Sequence, residues 1–148
     1  MFNTIPESTR ELAERAAARR DITTVQLNDE EFGPYVIALR NFWRKAVTER
    51  DGGDDWSTRM LALDILFGVR TRVGADAVDT AHLRECWKSR RLAATFDETF
   101  GVSMAGPSAR TIVLALAEYV QSEPEDITGG AFRVAAKGML GRIEEQVR

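Results

Sequence analysis

At 148 residues the chain has the commonest single-domain size, so one domain spanning 1–148 with one core is expected. Its 44% hydrophobic and 29% charged residues exclude wholesale disorder. A net charge of −3 argues against a free-standing nucleic-acid binder working by bulk basic charge, though a local basic face stays open. The longest purely apolar run, Ile112–Ala117, is far short of the ~20 residues that span a bilayer. The start, Met1–Pro6, has no positive end followed by an apolar stretch, and the single cysteine, Cys86, can form no internal disulfide. A cytoplasmic chain without a membrane partner is expected.

Helix signals follow one another along the chain. Ser8-Thr9-Arg10-Glu11 reads as a capping box, opening a helix to about Arg20. Asp21–Leu27, with β-branched residues and a weak alternation through Val25 and Leu27, reads as an extended connector. Pro34 suits the first turn of a second helix, to about Arg50, that carries Val36, Leu39, Phe42, Trp43, Ala46 and Val47 at helical spacing. Asp51-Gly52-Gly53-Asp54-Asp55 breaks it. A third helix, about Trp56–Arg72, is apolar nearly all round, which predicts a place in the middle of a bundle.

Asp79 or Thr80 caps a fourth helical stretch to about Phe100, with Leu83, Trp87, Ala94, Phe96 and Phe100 as its core contacts, whole or broken near Arg90-Arg91. Gly101–Pro107 reads as a loop and Ser108–Gln121 as a second nearly all-apolar helix. Thr128 caps a last amphipathic helix through Phe132, Ala136, Met139, Leu140, Ile143 and Val147. The expectation is an all-α fold, a compact bundle of about six helices with two largely buried central ones and negligible strand.

Catalytic and cofactor patterns are missing from the sequence. His82, the only histidine, lies four residues before Cys86, so the two can share a helix face. A zinc site needs about four such ligands, and no further Cys or His is present. As a nucleophile pair they lack an oxyanion hole and an orienting group. Gly101-Val102-Ser103-Met104-Ala105-Gly106 has its second glycine one place too late for a nucleophile elbow, and no strand is expected before it. Asp51, Asp54 and Asp55 are spaced too irregularly for a calcium loop, and they read as caps in a solvated turn, like Glu123, Glu125 and Asp126. No metal, cofactor or small-molecule substrate is expected, and the chain reads as a non-enzyme.

Charge is segregated. Acids crowd into the breaks Asp29–Glu31, Glu49–Asp55 and Glu123–Asp126, whereas basic residues ride on helices: Arg40, Arg44 and Lys45, then Lys88, Arg90 and Arg91, then Arg133 and Lys137. Spacings of four put pairs on one side of a helix. Such stripes are ordinarily the solvated face of an amphipathic helix, and the functional alternative is a groove tracking a phosphate backbone. Trp43 beside the first stripe reads as a core anchor. A helix-turn-helix reading, from Leu92-Ala93 through Phe100–Ser103 to Ser108–Val113, is hampered by an overlong turn and by a recognition helix with few polar residues.

The aromatic-plus-basic stretch Leu39-Arg40-Asn41-Phe42-Trp43-Arg44-Lys45, with the size and the all-helical plan, resembles the small helical subunit of class 1 (multisubunit) CRISPR effector complexes, although the acidic balance departs from that family's more basic members. The resemblance implies a non-enzymatic subunit of a nucleoprotein assembly in antiviral defence. Its partners would be other protein subunits and an RNA or single-stranded DNA backbone, with Arg40, Arg44, Lys45, Lys88, Arg90, Arg91, Arg133 and Lys137 as candidate contacts. The alternatives are a protein-only module (immunity protein, phage assembly chaperone or adaptor) that works through its acidic turns, Asp54 and Asp55 foremost, and a helix-turn-helix regulator.

Overall fold

A computed structural model describes residues 5–48, 56–88 and 100–147. Among these residues the chain forms α1 (Glu7–Ala18), β1 (Thr23–Leu27), α2 (Asp29–Thr48), α3 (Trp56–Val73), a 3-10 turn (Ala75–Val78), α4 (Thr80–Lys88), β2 (Phe100–Met104), α5 (Gly106–Gln121) and α6 (Ile127–Val147). The class is mainly all-α, as the periodicity predicts, with a two-stranded sheet added.

The bundle is built around α5. Its residues from Thr111 to Tyr119 are all buried, because a helix without a polar side is stable only when neighbours cover it all round. Here α1, α2, α3 and α6 all pack against it. The second central helix is α2, buried from Glu31 through Leu39. That is a correction, since the apolar pattern predicts this role for α3. Only one side of α3 is inward, through Arg59, Ala62, Leu66 and Val69. Trp56, Met60, Leu63 and Phe67 follow a second apolar stripe turned outward, and Trp56 and Phe67 are 51% and 53% exposed. Two apolar stripes on one helix look alike in sequence, and only the placement of neighbours decides which is covered.

Several helix starts move from their predicted positions. α1 opens at Glu7 behind Pro6 without a side-chain cap, so Ser8 lies inside the first turn and the Ser8–Glu11 box does not form. Six residues before Pro34, Asn28 opens α2 and makes a reciprocal box with Glu31 instead. The Glu31 N–H donates to Asn28 Oδ1 (3.0 Å), and the Asn28 N–H donates to Glu31 Oε1 (3.2 Å). Asp79 caps α4, accepting from the His82 N–H at 3.0 Å. Asp126, not the buried Thr128, caps α6 by accepting from the Gly129 N–H at 2.8 Å.

The strand content is another correction. Thr23–Leu27 pairs antiparallel with Phe100–Met104 in the register Thr23↔Met104, Val25↔Val102, Leu27↔Phe100, so the stretch read as a loop from Gly101 begins as a strand. Alternate residues of both strands are buried. A two-stranded ribbon is marginal alone and survives here by that packing, with Phe32 of α2 edge-on to Phe100 at 5.2 Å. Within the described residues α4 ends at Lys88; Ala94, Phe96, Asp51, Asp54, Asp55 and the side chain of Trp87 lie outside them.

Candidate nucleic-acid interface

The structure separates the eight candidate basic residues. Arg133 is buried, and its guanidinium closes the end of α5. It donates to Ser122 O (2.8 Å), Ser122 Oγ (2.9 Å), Gly129 O (2.8 Å) and Glu123 O (3.0 Å), and stacks on the Tyr119 ring at 4.4 Å. It is therefore a C-terminal helix staple, buried and held by α5 and the turn after it, and it is parted from exposed Lys137. Lys88 is exposed, 3.8 Å from Glu85. Arg90 and Arg91 lie outside the described residues.

The α2 stripe also divides. Lys45 turns toward α5 and meets Glu118 at 3.2 Å, on the rim of a groove of about 320 Å³ between the two helices. Arg40 turns toward α4 and donates to Val78 O at 2.7 Å. Arg44, exposed, and Asn41 border both that groove and a neighbouring cleft. The cleft, about 460 Å³, lies between α2, the end of α3 and the start of α4, and is lined by Arg40, Asn41, Arg44, Arg70, Val78, Asp79 and Thr80. Arg70 was not among the sequence candidates. Its one signal was a place in the last turn of α3, where a basic residue ordinarily complements the helix dipole.

Partnering sets this cleft apart. Among the described arginines of α2 to α6, all but Arg44 and Arg70 hold a hydrogen bond or an ion pair within the chain. Arg110, for example, forks onto Glu14 of α1 at 2.7 and 3.0 Å and lowers its pKa, at the depression between α1, α3 and α5. Arg84 pairs with Glu125 and Asp126, whose carboxyl is held down by the Gly129 N–H and then by Arg84. The acidic turn is exposed, as read, and Asp126 is a helix cap; Arg84 also ties the turn to α4.

Beneath the α2–α5 groove lies a buried ion pair. Arg59 forks onto Glu118 at 3.0 and 2.7 Å, donates to Phe42 O at 3.2 Å, and stacks on the Phe42 ring at 4.4 Å. Trp43, packed against the core as expected of an anchor, keeps its Nε1 buried without a hydrogen-bond partner, as does the Tyr119 hydroxyl. Burial pushes Tyr119 up to about 12, with Arg133 the main opposing influence.

His82 Nε2 and Cys86 Sγ are 3.4 Å apart, so they do share a face of α4, but no group of three or more His, Cys, Asp or Glu gathers among the described residues. Ser103 lies within β2 rather than at a strand-to-helix turn, so the elbow geometry does not form. The same strand stands where a helix-turn-helix needs its turn, and α5 buries Val113–Ala117, leaving no recognition helix there. Among the described residues no helix is long and apolar enough to cross a membrane. No protein-family model matches this chain, and neither does any curated protein or solved structure.

Proposed function

We propose that the chain is a non-enzymatic helical subunit of a nucleoprotein assembly that holds the phosphate backbone of RNA or single-stranded DNA on the α2 side of the bundle. One observation carries this reading: Arg44 and Arg70, the two described arginines of α2–α6 that have no partner among the described residues, line the same cleft as Arg40. Guanidinium groups left unpaired in a concavity concentrate positive potential, which attracts phosphate even in a chain of net charge −3. The proposed contact set centres on Arg40, Arg44 and Arg70, with Lys45 at its edge. The assembly half of the reading draws support from the outward stripe of α3, where half-exposed Trp56 and Phe67 offer apolar surface to a neighbouring protein subunit.

The test is purification of the tagged chain from its host at low salt, followed by sizing chromatography with absorbance at two wavelengths. A large particle with a nucleic-acid absorbance ratio, collapsing after nuclease, is expected. The variant Arg44→Glu/Arg70→Glu should elute without nucleic acid, while Lys137→Glu behaves as the parent. A small species with a protein ratio for the parent chain would overturn the reading in favour of a protein-only partner.

A further inference from the structure

We infer that the α2–α3–α4 cleft is a site for a single phosphate group, gripped between Arg44 and Arg70. Three separate elements bring guanidinium groups and a helix start to one concavity: Arg40 and Arg44 from α2, Arg70 from the last turn of α3, and Thr80 with Ala81 from the first turn of α4. The three guanidinium-bearing residues line one concavity, with room for a phosphate group.

The donors fall into an order. Arg40 spends one N–H on Val78 O at 2.7 Å, so its guanidinium is fixed against the 3-10 turn while its other donors remain. Arg44 and Arg70 spend none within the described residues, and both are exposed, free to close on a ligand from opposite walls. The countercharge is a single carboxylate, Asp79, which is engaged as the α4 cap by the His82 N–H at 3.0 Å and makes no ion pair with the three arginines. Three guanidinium groups against one carboxylate leave the cleft positive, and the planar fork of arginine matches two phosphate oxygens at once. The N–H groups of Thr80 and Ala81, at the first two positions of α4, have no acceptor within their own helix. The arginines carry the site, and the helix start adds to it.

The choice of a nucleic-acid strand as the source of the phosphate rests on the proposed function; the pocket itself does not. Both are tested by amide and arginine side-chain NMR on the full chain, titrated with inorganic phosphate and with chloride at matched ionic strength, and by binding of a labelled single-stranded RNA. The expected result is a saturable shift confined to Arg40, Arg44, Arg70, Thr80 and Ala81 with phosphate and none with chloride. Phosphate should also displace the RNA. Arg70→Gln, exposed and so compatible with folding, should weaken phosphate about 10-fold or more, as loss of a charge-assisted fork does, while Lys137→Gln leaves it unchanged.

If RNA binds but phosphate produces no saturable shift at these groups, the single-phosphate site is overturned and the nucleic-acid reading survives. If phosphate saturates the cleft and RNA does not bind, the site stands with a small phosphorylated molecule as its ligand, and the nucleic-acid reading falls.

Discussion

The residues of this chain show how little a charged side chain's type says about its use. Arg59 and Arg44 differ in nothing that a sequence displays, yet one is buried against Glu118 and the other stands unpaired at a cleft. A buried fork is costly to break on one side only, because the remaining charge keeps its desolvation without its partner. Glu118→Gln should therefore lower stability by about 3–5 kcal/mol, read from the urea midpoint. Lys45→Met, which removes a partner that is 30% exposed, should cost under about 1 kcal/mol. The pair Arg59→Met/Glu118→Leu should recover most of the Glu118→Gln loss. A negligible loss in Glu118→Gln would mean that water reaches the pair. Arg133 carries the same lesson: its spacing from Lys137 suggests a shared exposed stripe, but it is buried and holds the end of α5.

At the scale of elements, most helices were legible because their periodicity is local, while their ends and orientations were less so. Pro34 marks the start of α2 six residues after its Asn28 cap, and the last helix offers both Asp126 and Thr128 as caps, since short polar residues cluster there. The last helix holds a weakness that the sequence alone does not rank. Gly138 and Gly141 are exposed interior positions of α6 at which an added Cβ meets nothing within 4 Å. Glycine there leaves the unfolded chain more freedom to lose and gives no contact in return. Gly138→Ala and Gly141→Ala should each raise stability by about 0.5–1 kcal/mol, visible as a higher thermal midpoint. A fall in the midpoint would show that α6 is not a regular helix at these positions.

Across the whole molecule, both tyrosines are enclosed by the bundle. Burial pushes Tyr35 far above its ordinary range and Tyr119 up to about 12. These groups stay protonated in the folded chain while an unfolded chain ionises them near pH ~10. The folded state then binds more protons than the unfolded one, so stability is full below that value and falls as pH rises past it. An absorbance titration should show no tyrosinate until the circular dichroism signal collapses. Tyrosinate appearing before that collapse would show that one of the rings is open to solvent.

What depends on near neighbours along the chain was legible in the sequence: the helical class, the burial of the middle of α5, a cap at Asp79 or Thr80 and the shared face of His82 and Cys86. It could not determine what depends on remote partners. β1 and β2 are joined by a register between Thr23 and Met104, and Glu118 of α5 meets Arg59 of α3. The outward turn of one α3 stripe and the convergence of Arg40, Arg44 and Arg70 belong to the same kind. Periodicity fixes which residues share a side of a helix within a few residues' span. Which side is covered, and which charges find partners, is set by packing between segments far apart in the chain, and there the tertiary structure alone decides.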